Sequence, residues 1–317
     1  LGLTLTSRSN GGAAAIPLAG VPVKAAATDI RRLVEKGFRV AIAEQIEDPK
    51  LAKGLVRRAV VEVITPGAVM ADDLLDQHRN TFLVALTTAG PRAGLAAADL
   101  STGEFVLESL AVAEVGAALE RYRPSEVLVP EGEATLAPPA ALVTRREHWH
   151  FDPAVAADDL QRLGGVVALD GIGIEAGDAL AVGAAGALLR YLAELQPAGL
   201  PHLRRPLVRR PEGILYLDAM TRRNLELVEP LRPGYRDATL VGVLDRTQTP
   251  MGARLMRAWL LRPLVSLERI RDRLDGVEDF AFRMTERGKF RDALKRMHDL
   301  ERLVARTALG TAGPRDL

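Results

Sequence analysis

Three carboxylates have positions along the chain that would suit a metal-dependent hydrolase. Asp99 closes a strand-like stretch over residues 92–99, and Glu126 and Asp170 follow it. Carboxylates that converge within a few ångströms can hold magnesium ions, which promote attack on a phosphodiester bond. Because residues 101–103 (Ser-Thr-Gly) form a turn signal, a turn-initiating aspartate explains Asp99 equally well. Magnesium-dependent, structure-specific nuclease activity is therefore kept as an alternative function.

Other chemistries have less support from the residue types. His148 and His150 would share one face of an extended segment, but no other histidine is near and cysteine is absent, so we interpret them as a surface strand edge. The glycines at 11–12 and 171–173 do not form a nucleotide-binding loop, because no Gly-Lys-Ser or Gly-Lys-Thr occurs in the chain. The sequence therefore predicts no metal site, no cofactor site and no catalytic residue.

One short polar segment suits contact with a phosphate backbone. Residues 7–12 read Ser-Arg-Ser-Asn-Gly-Gly, which is typical of a loop. A flexible backbone that carries Arg8 and Asn10 can present hydrogen-bond donors to phosphate oxygens. A solvated loop without a ligand is equally consistent with the sequence.

Charge is distributed unevenly along a chain whose net charge is only +1. Residues 1–67 hold 10 basic and 6 acidic side chains, residues 68–200 hold 8 and 19, and residues 201–317 hold 24 and 16. Basic surfaces attract DNA, whereas acidic surfaces repel it. The simplest functional interpretation is that the outer segments contact DNA and the middle segment contacts protein. Compositional drift between solvated surfaces is the alternative.

Hydrophobic periodicity divides the 317 residues into three regions, which predicts an α/β multidomain protein. Residues 1–67 combine short strands with a helix that starts near Thr28 or Asp29, as in a small mixed α/β domain. Residues 68–195 give strand, strand, strand, helix, strand, the opening order of an RNase H-like α/β fold. Residues 196–317 repeat apolar residues every three or four positions, which predicts an all-α region that is incomplete at its end.

The helical pattern gives specific expectations. Gly183 and Gly186 would let one helix approach a neighbour closely. Side chains expected to cap helices and fix packing, without a catalytic role, are those of Asp218, Asn224, Thr249 and Arg315. The paired arginines at 222–223 and at 254 and 257 are interpreted as a solvated face or as intramolecular ion pairs rather than as DNA contacts. The predicted helices beyond the first region cover residues 112–122, 179–195, 225–231, 239–244, 253–261, 267–282 and 290–309.

Several ordered sequence blocks resemble the MutS family of DNA mismatch-repair proteins. The blocks are residues 17–22 (PLAGVP), 40–45 (VAIAEQ), 64–67 (ITPG), 217–227 (LDAMTRRNLEL), 244–254 (LDRTQTPMGAR), 259–264 (WLLRPL) and 299–303 (DLERL). Their order and spacing are similar to the family along nearly the whole chain. The resemblance implies part of a mismatch-recognition domain (1–67), an RNase H-like, non-catalytic connector (68–195) and the start of a core or lever domain (196–317).

The resemblance also implies which residues bind DNA. In the family, the loop before the block at 19–22 approaches the minor groove near the mismatch, which adds Leu18 and Lys24 to Arg8 and Asn10 as DNA-binding candidates. Leu18 stands where methionine is frequent, and Lys24 stands where histidine is common. Family members insert a Phe-x-Glu motif beside the mispaired base, and no Phe-x-Glu occurs in these 317 residues.

Partners and cofactors follow from the same resemblance. Family members scan double-stranded DNA for mismatches as dimers, homodimeric in bacteria, and recruit MutL; in this chain the connector is expected to meet MutL. In the full-length family ATP and magnesium bind an ATPase domain, so this chain, as a fragment without that domain, is expected to hold no cofactor. It is further expected to be cytoplasmic and nucleoid-associated, without membrane contact. A scaffold that docks MutL through its acidic middle region without contacting DNA is a further alternative.

Overall fold

The computed structural model describes residues 5–10, 13–50, 54–133, 136–197, 199–232 and 234–314, without the side chains of residues 6, 8–10, 13–17, 73 and 236. The N-terminal unit (residues 5–64) contains two separate antiparallel strand pairs and one helix. Its elements are β1 (Leu5–Asn10), β2 (Ala13–Ala19), α1 (Ala26–Glu35), β3 (Val40–Gln45) and β4 (Arg58–Ile64).

Helix α1 lies where the sequence predicted a helix, but neither Thr28 nor Asp29 caps it. It begins at Ala26, so Asp29 lies inside its first turn. Gly37 follows the helix with φ +81°, the left-handed conformation that a helix C-terminus favours and that costs glycine little. A connecting segment (residues 65–82) then leads from β4 to the central unit.

The central unit is a six-stranded sheet with helices on both faces. Its elements are β5 (Leu83–Ala89), β6 (Arg92–Asp99), β7 (Glu104–Ala111), α2 (Val115–Tyr122), β8 (Glu126–Pro130), β9 (Leu142–Arg146), α3 (Pro153–Gly164), α4 (Ala179–Leu195) and β10 (Leu207–Arg209). The strand order is β10-β7-β6-β5-β8-β9. Within this order β6 is antiparallel to both of its neighbours, while all other pairings are parallel.

Alternation along the strands produces two hydrophobic cores, because successive side chains of a strand point to opposite faces. Leu83 and Ala85 on β5 are fully buried in the core that α3 and α4 cover. Val84 and Leu86 belong to the opposite core, which α2 covers. Helix α4 packs across β5, β6 and β7 in the middle of the sheet. Its bounds are those that its apolar pattern predicted.

The helical region (residues 219–308) follows β10. Its helices are α5 (Ala219–Asn224), α6 (Leu240–Leu244), α7 (Pro250–Leu261), α8 (Leu267–Phe282), α9 (Met284–Leu294) and α10 (Leu300–Ala308). Two of the predicted caps are confirmed, since the side chains of Asp218 and Thr249 accept hydrogen bonds from the amides of Thr221 and Gly252. Asn224 is instead the last residue of α5, and Arg315 lies outside the described residues. Of the helices in the described ranges, none combines the length and the apolar character that a membrane crossing requires.

Two of the predicted helices are wrong. Residues 225–231 form turns, because Glu226 adopts φ +46° and Pro230 cannot continue a helix. The single helix predicted over 290–309 is two helices, since α9 ends at Leu294 and the side chain of Asp299 caps a new helix. Apolar spacing continues through both interruptions, so spacing alone could not reveal them.

Candidate nucleic-acid interface and the contacts behind it

The four DNA-binding candidates lie on and just after one strand pair. Arg8 pairs with Ile16 and Asn10 pairs with Ala13, with a bulge between them. Leu18 lies opposite Thr6 and is 44% exposed, and Lys24 is exposed in a short 3-10 helix (Val23–Ala25). The side chains of Arg8 and Asn10 lie outside the described residues.

The predicted loop at residues 7–12 is wrong in its first part. Residues 7–10 belong to β1, which gains its hydrogen-bonding partner from β2, and residues 11–12 lie outside the described residues. Pro17 sits within β2, which is acceptable because a strand at a sheet edge does not need every backbone N–H. Local composition resembles a loop here, whereas the pairing with residues 13–19 decides the structure.

Glu126 on β8 is the centre of a buried network that joins the connecting segment to the central unit. Its carboxylate accepts hydrogen bonds from the hydroxyls of Thr65, Thr144 and Tyr191 and from the amide of Gly67. Thr144 Oγ1 lies 2.6 Å and the Tyr191 hydroxyl 2.7 Å from Glu126 Oε1. Burial and the neighbouring Glu126 carboxylate raise the pKa of Tyr191 above its ordinary value, so that tyrosine stays a proton donor.

Arg39 extends this network into the N-terminal unit. Its Nη2 donates to Thr144 Oγ1 at 2.6 Å and lies 3.8 Å from Glu126 Oε1, and its guanidinium lies 5.7 Å from the centre of the Tyr191 ring. One arginine therefore bonds the N-terminal unit to both a strand and a helix of the central unit. Sequence reasoning missed Arg39, because its hydrogen-bond partner is 105 residues away and no local pattern marks it.

A second network surrounds Glu108 on β7, which is 3% exposed. It accepts hydrogen bonds from Arg121 and from the Tyr122 hydroxyl, and Arg262 lies 3.5 Å from it. Arg209 in β10 donates to the Tyr122 oxygen at 3.0 Å. Burial raises the pKa of Tyr122, and the Glu108 carboxylate adds to this effect. The network connects the sheet, α2, β10 and the residue that follows α7.

A third contact connects the start of α4 to the chain that leaves β10. Asp178 accepts two hydrogen bonds from Arg210, both at 2.7 Å, and others from the Ser109 hydroxyl and the Glu175 amide. Burial alone would raise the pKa of Asp178, but these hydrogen bonds outweigh burial and lower its pKa to about 2. The ionised form is therefore the one that this site stabilises.

The low pKa of Asp178 predicts a stability change in acid. A carboxylate whose pKa is lower in the folded than in the unfolded state stabilises the fold above its unfolded pKa, and this stabilisation is lost as the pH falls through its folded pKa. We expect the change to lie between about pH 4 and pH 2 and to amount to about 2 kcal/mol. Urea unfolding across this range should show a smaller decline in Asp178→Asn, and equal pH profiles for the variant and the parent would contradict the prediction.

Three of the four clustered arginines of the helical region make internal contacts, while Arg223 is exposed, as expected for a solvated face. Arg222 is 6% exposed and donates to the Ala117 carbonyl at 2.6 Å. Arg254 is 5% exposed and forms intramolecular ion pairs, as expected. Arg257 donates to the Val228 carbonyl at 3.3 Å. The expectation of a solvated face is wrong for Arg222 and Arg254, which are buried, whereas Arg257 is half-buried.

The three carboxylates considered for metal chemistry have separate surroundings. Asp99 accepts from the Ser101 amide at 2.9 Å and from the Asn80 side chain at 2.8 Å, so it organises the turn after β6. Glu126 belongs to the network of hydroxyls, and Asp170 is exposed. Across the described parts of the chain, no three His, Cys, Asp or Glu side chains are grouped so that they could hold a metal ion.

The histidine pair is not at a strand edge, which corrects the prediction. His148 and His150 lie in a 3-10 helix (His148–Phe151) that leads into the Asp152 cap of α3. His150 is buried against Trp149, with ring centroids 3.8 Å apart, and burial lowers its pKa. His148 is exposed, so the two imidazoles have different environments.

Comparison with known proteins gives matches along nearly the whole chain. Family models match in order: MutS domain I over residues 1–73, MutS domain II over residues 81–204 and MutS domain III over residues 220–317. Proteins named DNA mismatch repair protein MutS from Solibacter usitatus, Symbiobacterium thermophilum and Myxococcus xanthus are each 42% identical to it over 100% of this chain.

The match covers only part of each relative. The chain spans 38% of the Solibacter and Symbiobacterium proteins and 36% of the Myxococcus protein. The resemblance recognised from the sequence blocks is nevertheless confirmed, because domain models and whole-chain identity agree. The chain belongs to the MutS family of DNA mismatch-repair proteins and carries its domains I, II and III.

Proposed function

We propose that this chain supplies the DNA-contacting and signal-transmitting parts of a bacterial mismatch-repair protein. The observation that carries the proposal is the ordered match of three MutS domains together with 42% identity over the whole chain. Its ligand is double-stranded DNA that contains a mismatch. The whole protein acts as a homodimer in the cytoplasm, at the nucleoid, and uses ATP and magnesium in a part that these 317 residues do not include.

The proposed DNA contact is the β1–β2 pair and the turn that follows it. The candidates Arg8 and Asn10 would bond phosphate oxygens, while Leu18 and Lys24 would face the groove near the mismatch. The net positive charge of residues 1–67 and the exposure of Leu18 and Lys24 support this assignment. A mispaired step is easier to kink than a paired one, so the recognised property is deformability more than base sequence.

The central unit is proposed to be an RNase H-like connector that has no catalytic role of its own. The order β7-β6-β5-β8-β9, with β6 alone antiparallel, supports this fold. The hydrogen bonds of Asp99 within its own turn argue against the nuclease alternative. The acidic balance of residues 68–200 suits contact with protein, and we assign MutL as the partner of this connector.

The test is equilibrium binding of the 317-residue chain to labelled matched and G·T-mismatched duplexes. Because no Phe-x-Glu occurs in these residues, we expect weak and equal affinity for both duplexes. Two cationic side chains, Arg8 and Lys24, would each neutralise one phosphate, which would make the affinity fall about tenfold between roughly 50 and 200 mM salt. Lys24→Gln should lower the salt slope by about 1, whereas Lys295→Gln, at the residue that follows α9, should leave it unchanged.

The outcomes separate the three functions. Preference for the mismatched duplex would show that discrimination does not require a Phe-x-Glu motif in this chain. Complete loss of DNA binding at low salt would overturn the DNA-contact proposal and favour a scaffold for MutL. Magnesium-dependent cleavage that disappears in Asp99→Ala would favour the nuclease.

A further inference from the structure

The connecting segment is held by side chains from the central unit, which follows it, and from the helical region. At its start, Thr65 and Gly67 bond to Glu126 of the central sheet. Further along, its backbone passes against α7 and α10, and Asp72 lies 3.2 Å from Arg306 on α10. A segment that joins two units by backbone alone would be free to bend, whereas this one is fixed at several points.

Two buried arginines make the central contacts. Arg302 on α10 donates to the Asp76 carbonyl at 2.9 Å and to the Arg79 carbonyl at 3.0 Å. Arg254 on α7 donates to the Gln77 carbonyl at 3.1 Å. The exposed fractions of Arg254 and Arg302 are 5% and 2%, so water does not replace these bonds readily. Three backbone carbonyls of the connecting segment thus accept hydrogen bonds from guanidinium groups on two helices.

Asp299 joins the two arginines to each other. It accepts a two-pronged pair of hydrogen bonds from Arg254, at 2.6 and 2.8 Å, and lies 3.8 Å from Nε of Arg302. The same carboxylate accepts from the Arg302 amide and so caps α10. Glu301 bonds Arg254 at 2.8 Å but has no such role for Arg302 in the described contacts. Asp299 is therefore the one carboxylate in the described contacts that lies within ion-pair distance of both guanidinium groups.

These contacts form a cooperative unit, because a buried guanidinium that loses one partner is left uncompensated in a region of low dielectric. The connecting segment cannot leave α10 without exposing Arg302. Likewise, α7 cannot shift against α10 without breaking the ion pair between Arg254 and Asp299. Release of the connecting segment is therefore expected to break these contacts together rather than one at a time.

We infer that Arg254 and Arg302, oriented by Asp299, are positioning residues that fix the connecting segment to the helical region and so set the place of the DNA-contacting N-terminal unit. One consequence is that movement of α7 against α10 would change how the N-terminal unit contacts DNA, and this consequence rests on the proposed function. The contacts of Arg254 and Arg302 with the connecting segment do not involve DNA and can be tested without it.

The test measures the distance between the N-terminal unit and the helical region. Because the chain has no cysteine, Val23→Cys and Val277→Cys, at positions 92% and 65% exposed, can carry spin labels for pulsed dipolar spectroscopy. Asp299→Asn removes the charge shared by both arginines, and Glu301→Gln removes a charge shared with Arg254 alone. Lys295→Gln is the control, because it breaks an exposed ion pair with Asp292 in the same region.

We expect the width of the distance distribution to increase about twofold in Asp299→Asn, less in Glu301→Gln and not at all in Lys295→Gln. Amide exchange over residues 76–80 should rise about tenfold or more in Asp299→Asn, while exchange in α4 stays unchanged, which separates release of the loop from loss of the fold. Asp299→Glu, which keeps the charge, should restore most of the narrow distribution.

Unchanged distance distributions in both Asp299→Asn and Glu301→Gln would overturn the inference, whatever the DNA affinity. If Asp299→Asn does not fold, the Glu301→Gln distribution decides in the same way. Titration of labelled duplex into each variant then tests the consequence separately. If the distance distributions widen in the variants but the parent chain binds no DNA, the positioning role is upheld and only the proposed function is contradicted.

Discussion

Replacing Glu126 with alanine is expected to lower the free energy of unfolding of the central unit by about 3–5 kcal/mol. The carboxylate is fully buried and is the shared acceptor for three hydroxyls and one amide. Its removal leaves those donors without an acceptor in a place that water does not reach, and each unsatisfied donor costs about 1–3 kcal/mol. The loss of van der Waals contact adds to this cost.

The measurement is urea unfolding followed by tryptophan fluorescence. The chain contains two tryptophans, so Trp259→Phe leaves Trp149 as the reporter for the central unit. Glu126→Gln is the matched control, because its amide keeps one acceptor oxygen and the rotating hydroxyls can adapt to the new donor; a loss of about 1–2 kcal/mol is expected. A Glu126→Ala variant within 1 kcal/mol of the parent would show that the network contributes specificity rather than stability.

Much of the fold was predictable because its signals are local. The bounds of α4 follow from a continuous run of small and apolar residues, and β6 and β8 follow from short apolar stretches that end in turn signals. Helix caps at Asp218 and Thr249 are equally local, since the capping oxygen bonds an amide three residues further on. Such features need no knowledge of distant parts of the chain.

The candidate site was harder to predict because its contacts are distant in sequence. The sequence left open whether Arg254 lies on a solvated face or forms an intramolecular ion pair, because its partners are Asp299, 45 residues away, and a backbone carbonyl 177 residues away. The hairpin that carries Arg8 looked like a loop, since strand pairing supplies what the local composition lacks. The family resemblance supplied Leu18 and Lys24, which no residue pattern in this chain would have selected.

The glycines of α4 also predicted a tertiary feature, the close approach of a neighbour, and this feature gives a test in which substitutions at two glycines are expected to change stability in opposite directions. A Cβ built at Gly183 in α4 would lie 2.1 Å from the Phe151 carbonyl oxygen, whereas one at Gly276 in α8 would meet no atom within 4 Å. Gly183→Ala is expected to destabilise the chain by about 3 kcal/mol, because backbone on both sides must move apart.

Gly276→Ala makes the same chemical change in an open helix and is expected to stabilise it by about 1 kcal/mol, since alanine loses less conformational entropy there. Thermal unfolding followed by circular dichroism would measure both. Helix propensity alone predicts stabilisation at both positions, so the sign at Gly183 isolates the packing of α4 against the segment that ends at Phe151. A stabilised Gly183→Ala variant would mean that this contact is looser than the structure places it, and that α4 can shift across the sheet without resistance from its neighbour.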